Sequence, residues 1–291
     1  MGDNDLTLKV AIPDTSLSDC SNLREKTTKV GQIARALAIF RVDEVFIYKT
    51  GQLETSKRRD ADLLDKLLRY LDTPQYLRRR VFPKTTSLQF AGTLPPLRTL
   101  SHPLESSLTD LFEGTIRWGI QVRPNLIDLG FEKLIDYHDT VSEREPTLFR
   151  VRSTNPRIEL EPIKRSDVDV YWGFEVSRAS NLLDLLKRSK RLTRIGFSRN
   201  APFFNNIEQD LKTTISSTNS ILAVFGGPTH GILSIYNEAA KEDIKYNVDF
   251  WINAIPNQGT ETVRLEEALI IGLGLMNSSF GLLYTLPGYN R

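Results

Sequence analysis

Two stretches near the C-terminus carry residues that could do chemistry. The first is "VFGGPTHGI", Val224 to Ile232, and the second is "NAIPNQGTETVRLEEAL", Asn253 to Leu269. Each follows an apolar run and leads into a helical pattern. Gly226 and Gly227 come directly after a buried run, where missing side chains let backbone N–H groups approach a ligand. Pro228 stiffens the exit, and Thr229 is placed to cap the following helix. No Lys-Ser or Lys-Thr pair follows, so this is not a phosphate loop, and no G-x-G-x-x-G occurs. In the second stretch, Ile255–Pro256 restricts the backbone. Asn257, Gln258, Gly259 and Thr260 then supply many donors and acceptors. Thr262 and Glu266 are one residue too far apart for a capping box, so the loop is more polar than capping requires. Polar loops at strand C-termini are where open α/β sheets bind ligands. The chemistry this suggests is capture of a small molecule by backbone amides and amide side chains.

The elements that must position these loops follow from periodicity. "LTLKVAIP", from Leu6, alternates as a strand. Val30, Ile33, Ala34, Leu37 and Ala38 recur at helical spacing, and "VDEVFIYK" is a second strand. "RRDADLLDKLLRYLDTPQYLRRRVFP" reads as a helix broken at Thr73–Pro74. From Gln89 to Pro162 the character changes to short strand-like runs divided by Gly and Pro: "LQFAG", "EGTIRWGIQVR", "NLIDLG", "EKLIDY", "PTLFRVRS" and "PRIELE". That size and strand count suit a small five-stranded barrel of the oligonucleotide-binding type. The α/β rhythm then returns. "DVDVYWGFEVS", "LTRIGFS", "SILAVF" and "VDFWINAIP" are expected strands. Helices are expected over "RASNLLDLLKRSK", "NNIEQDLKTTISST", "THGILSIYNEAAKED" and "TVRLEEALIIGLGLMNSSF". The expected organisation is an α/β domain in two parts, 1–84 and 166–291, around a β module at 85–165.

Composition narrows the class. The 291 residues are 40% hydrophobic and 25% charged, an ordinary globular balance. No run approaches a membrane span, and nothing at the start resembles a signal peptide. One cysteine, Cys20, excludes an internal disulfide. With His102, His138 and His230 widely spread, no metal site is expected. These features together point to a cytoplasmic protein. The net charge is only +2, but Lys187 to Arg199 holds six basic residues and no acidic one. Arg78, Arg79 and Arg80 form a second knot. Local basic patches suit an anionic partner, and equally a solvated helix end. Arg78, Arg79, Arg80, Lys187, Arg188, Lys190 and Arg191 are the candidate contacts to such a partner. Phe90, Trp118 and Phe149 are candidate stacking aromatics or core of the module.

The stretches "SNLREKTTKVGQIARALAIFRVDEVFIY", "FGGPTHGI" and "NAIPNQGTETVRLEEAL", with the position of the β module, resemble the SPOUT superfamily of RNA methyltransferases. The closest likeness is to its archaeal and eukaryotic branch with an inserted oligonucleotide-binding-type module. The resemblance covers nearly the whole chain. It implies a parallel α/β sheet with a C-terminal trefoil knot, and a homodimer in which one subunit completes the other's site. It also implies S-adenosylmethionine as cofactor, with S-adenosylhomocysteine as product. By position, Phe225, Gly226, Gly227, Pro228, Ile255, Asn257, Gln258 and Gly259 would hold that cofactor, and Val263, Leu265 and Ala268 would close an apolar side. The activity implied is N3-methylation of a uridine in ribosomal RNA.

A uridine N3 must lose a proton, and its anion must be stabilised. Glu261 is the candidate base and Arg24, in "SNLREKT", the candidate cation. The local alternatives are helix-end charge for Glu261 and a salt bridge to Glu25 for Arg24. Glu266 and Glu267 read as surface charge or positioning groups, and His230 as part of a cap. Methylation of a ribose 2′-hydroxyl, or RNA binding without catalysis, are the other readings.

Overall fold

The computed structural model describes residues 6–53, 58–143, 145–234 and 236–281. They form two units: one from residues up to 69 with 90–95 and 174 onward, the other from 70–89 and 96–173.

The first unit is a six-stranded sheet, parallel throughout. Its strands are β1 (Thr7–Pro13), β2 (Glu44–Tyr48), β8 (Glu175–Ala179), β9 (Thr193–Phe197), β10 (Ser220–Val224) and β11 (Phe250–Ile252), ordered β11-β9-β10-β1-β2-β8. Val10, Ala11, Ile12, Leu222, Ala223 and Val224 are buried, as central strands covered on both faces require. Helix α1 (Leu23–Ile39) starts where the Asn22 side chain accepts from the Glu25 N–H, and buries Val30, Ile33, Ala34 and Leu37. Glu25 returns its carboxylate to the N–H and hydroxyl of Ser21. Those hydrogen bonds hold its pKa below the ordinary glutamate value. Helix α4 (Leu182–Arg188) has an equivalent cap at Asn181. Helix α5 (Phe204–Thr218) ends at Asn219 in the left-handed region.

The second unit holds an antiparallel sheet, β5-β4-β3-β6-β7, made of β3 (Ile116–Arg123), β4 (Leu126–Asp128), β5 (Ile135–Asp136), β6 (Thr147–Ser153) and β7 (Glu159–Ile163). Ile127, Leu129, Ile135, Phe149 and Val151 form its core. Phe149 packs edge-on against Tyr137 and is 1% exposed, so it is core and not a stacking platform. Trp118 lies beneath the Arg165 guanidinium.

Helix α2 (Arg58–Asp72) and helix α3 (Gln75–Val81) meet at Pro74, as the sequence predicts. Three other expectations change. "LQFAG" forms 3-10 turns, not a strand. The strand expected from Asp167 begins only at Glu175, after Gly173 adopts a positive φ. The helix expected from Thr229 does not form over residues 229–234, nor at 236 and 237. There the Asn237 side chain accepts from the Ala240 N–H and starts α6 (Glu238–Tyr246). Thr229 is therefore not a helix cap, and neither is His230 part of one. Gly227 donates to the His230 carbonyl at 2.9 Å, and this turn occupies the residues that the helix would need.

Candidate functional site

β9, β10 and β11 end side by side, and the loops that leave them enclose a cavity of about 670 Å³. That is within the usual range for a small-molecule site, roughly 300–1,000 Å³. Its floor is aromatic. Phe197, the last residue of β9, stacks on Phe225 with centroids 4.4 Å apart and planes 7° from parallel. Phe225 is buried and fixed at both backbone ends. Its N–H donates to the Ala11 carbonyl at 2.9 Å, and its own carbonyl accepts the Tyr48 hydroxyl at 2.8 Å. Burial pushes the Tyr48 phenol well up, so it stays a donor. Trp251 lies against Gly196, where a Cβ would come within 2.7 Å of the indole.

The first hinge turns sharply. A Cβ at Gly226 would stand 2.9 Å from Gly231 Cα and Ile232 N. The glycine is thus required by the chain's own return past it. Tyr236, on that return, is pushed up to about 12 by burial, with Asp14 adding to it. In the second hinge the Asn253 amide accepts from the Ile255 N–H at 2.9 Å. Asn257 takes φ +56°. Gln258 Nε2 donates to the carbonyls of Thr260 and Glu261 at 2.8 and 3.2 Å. Helix α7 (Leu265–Phe280) begins where the Glu267 carboxylate accepts from the Arg264 N–H at 2.9 Å. This is half of a capping box, two residues later than Thr262.

Of the residues named from sequence, Phe225, Gly226, Gly227, Pro228, Ile255, Gln258, Glu261, Val263, Leu265 and Ala268 border the cavity. Asn257 and Gly259 do not. Arg24 is exposed in the first turn of α1 and is not among the lining residues either. Its neighbour Glu25 is committed to Ser21 and Asn22. Glu266 is not surface charge: it is buried and pairs at 3.1 Å with Lys29, itself 4% exposed and bonded to Asp19. Arg78 gives its guanidinium to the carbonyls of Thr73 and Leu71 and lies over Tyr70. Arg80 pairs with Asp128, while Arg79 is exposed. Lys187, Arg188, Lys190 and Arg191 are all exposed; the first two close the last turn of α4, where cations suit the helix dipole.

Sequence reading missed Phe197, Arg199, Trp251 and Asn253. A signal was present: "FSRNAPF" is a third polar, proline-bearing loop directly after a strand. Among the described residues no His, Cys, Asp and Glu cluster could hold a metal, and no helix is long and apolar enough to cross a membrane.

A cavity at the carboxyl ends of adjacent parallel strands, with an aromatic floor, is where open α/β domains bind small ligands. Residues 7–276 match the family model described as "Putative RNA methyltransferase". A Halobacterium salinarum protein of uncharacterised function is 31% identical, over 92% of this chain and 98% of its own length. A Drosophila melanogaster 28S rRNA (uridine-N(3))-methyltransferase is 28% identical, over 94% of this chain and 62% of its own length. The Homo sapiens protein of the same name is 27% identical, over 93% and 77%. The chain belongs to this family of SPOUT-type RNA methyltransferases, enzymes that use S-adenosylmethionine.

The cavity fits that cofactor. Phe197, partly exposed and stacked on the buried Phe225, gives the cavity an apolar surface of the kind a purine packs on. Trp251 also borders the cavity, its indole N–H buried with no partner among the described residues, and Asn200, Asn253 and Gln258 add amide groups to a largely apolar lining.

Proposed function

We propose that this protein methylates N3 of a uridine in large-subunit ribosomal RNA. The observation that carries the reading is the single cavity formed by both sequence hinges, in a chain matching relatives named for that reaction. S-adenosylmethionine supplies an electrophilic methyl group; the rest of the task is position and proton handling. In this reading Phe225, Gly226, Gly227, Pro228, Ile255, Gln258, Val263, Leu265 and Ala268 hold the cofactor. Asn257, at φ +56°, acts one step back by shaping the second hinge, while Gly259 only leaves open space in it. Glu261, at the cavity rim, takes the N3 proton. Arg24 steadies the resulting imide anion, and because it does not border its own chain's cavity, it does so from a second copy in a homodimer.

The return of the chain past Gly226 is where we place the trefoil knot of the family. Residues 85–165 serve as an oligonucleotide-binding-type RNA module between the two parts of the catalytic domain, 1–84 and 166–291. Exposed Arg79, Arg80, Lys187, Arg188, Lys190 and Arg191 contact phosphates. Arg78, already bonded to carbonyls, supports the local fold instead.

The test is to incubate the purified protein with methyl-labelled cofactor and large-subunit rRNA, then map the label by reverse transcription. A methyl on N3 blocks the pairing edge and arrests the polymerase at one uridine. Label without an arrest would place the methyl elsewhere, on a ribose oxygen for instance, and sink the N3 assignment.

A further inference from the structure

The second hinge needs something to hold it. Between β11 and α7 the chain runs from Asn253 to Arg264 without regular structure, yet seven of these residues border the cavity. Four hydrogen bonds tie it to the loop that leaves β9. Asn253 supplies most of them. It is 7% exposed and uses both ends of its main chain: its N–H donates to the Pro202 carbonyl at 2.8 Å, and its carbonyl accepts the Phe204 N–H at 3.3 Å. Its side chain faces both loops. Nδ2 donates to the Arg199 carbonyl at 2.8 Å, while Oδ1 accepts the Ile255 N–H at 2.9 Å. One side is a carbonyl and the other an N–H, and the amide, with a donor end and an acceptor end, satisfies both. The fourth bond returns from the other direction. Arg199 Nη1 donates to the Glu261 carbonyl at 3.0 Å, reaching the far end of the hinge.

We propose that Asn253 and Arg199 form a clasp of positioning residues that fixes the cofactor wall between Ile255 and Glu261. Neither takes part in proton or methyl transfer. The clasp rests on the cofactor reading given above. Its physical content is preorganisation: a loop already held in its bound shape loses less freedom when the ligand arrives. Asn253 pins the start of the wall and Arg199 pins its end. Both are anchored on the same loop, Ser198 to Pro202, which itself borders the cavity. The wall and the loop after β9 therefore move as one piece. Arg199 is exposed, so removing its side chain leaves the core untouched.

The experiment is calorimetric titration with S-adenosylmethionine of the full chain and of Arg199→Ala, Arg199→Lys and Asn253→Ala. Each is also melted by circular dichroism. Loss of a hydrogen bond made by a charged group predicts roughly tenfold weaker binding for Arg199→Ala, with the melting temperature unchanged. Arg199→Lys, which keeps a donor, recovers most of that loss. Asn253→Ala binds at least as weakly as Arg199→Ala. In turnover, KM for the cofactor rises while kcat at saturating cofactor holds. Wild-type affinity in Arg199→Ala and in a folded Asn253→Ala would overturn the clasp and leave the cofactor site standing. A lower melting temperature with unchanged affinity would do the same, marking the bonds as merely structural. A folded wild-type protein that binds no S-adenosylmethionine would bring down the cofactor reading, and the clasp with it.

Discussion

Gly226 and Gly259 both sit in the cavity-forming loops, yet they face different constraints. A Cβ on Gly226 would strike main-chain atoms of Gly231 and Ile232 at 2.9 Å, and main chain cannot swing aside as a flexible side chain does. At Gly259 no atom stands within 4 Å. Gly226→Ala should therefore lower unfolding stability by about 1–3 kcal/mol and weaken cofactor binding. Gly259→Ala should change neither beyond twofold. Urea melts and titration on the two variants check this, and equal behaviour would contradict the geometry. Sequence patterning made both glycines visible but could not rank them, because the partner of Gly226 lies in its own returning chain. Glu266 was legible in principle. It falls on the same α7 face as Leu265, Leu269, Gly272, Leu273 and Met276, all buried. A charge on an apolar stripe signals a buried partner, and here that partner is Lys29.

At the scale of elements, the Lys29 ammonium joins three parts: α1, which carries it, α7 through Glu266, and the loop after β1 through Asp19 at 2.7 Å. Removing the cation would leave the buried Glu266 carboxylate without its partner, beside the solvent-reached Asp19. Breaking a buried pair from one side costs about 3–5 kcal/mol, so Lys29→Ala should lose stability on that scale. Adding Glu266→Gln to it should restore part. A double-mutant cycle by urea denaturation measures the coupling; additive losses would show that the three groups do not act together. The strands of the parallel sheet and the helices α1, α2, α4 and α5 were legible because each has a clear period or cap. The segment Thr229–Tyr236 was not. Ile232, Leu233 and Tyr236 have near-helical spacing, but they pack against the sheet from an irregular path. The chain there is held instead by the Gly227 N–H donating to the His230 carbonyl, a contact that periodicity does not encode. The true start, Asn237 followed by Glu238, was present as a capping signal.

For the molecule as a whole, charge decides how RNA is engaged. Lys187, Arg188, Lys190 and Arg191 are exposed, whereas Arg194 in the same run is committed to Asp249 through two guanidinium nitrogens. If the four exposed cations contact phosphates, changing all of them to Gln should flatten the salt dependence of RNA binding. The slope of log affinity against log salt should fall in magnitude by roughly 3. Cofactor affinity should not change. An unaltered slope would remove this face from the RNA path. The basic run was plain in the sequence; which of its members were already occupied was not, since the acid that neutralises Arg194 is far along the chain.

The order of strands has one more consequence. β1 is made first, yet it lies between β2 and β10, with Thr7 in register with Ser220 and Ala11 with Val224. On a ribosome adding about 5–20 residues per second, the first strand waits on the order of ten to forty seconds for that neighbour to be made. Until then one edge of a strand as apolar as Val10–Ile12 has no native partner on that side. The sheet is thus completed only after the intervening β module has been made and can already have folded. For the nascent chain, the vulnerable interval is set by contact order and translation speed, and its hazard is an open β edge seeking the wrong strand.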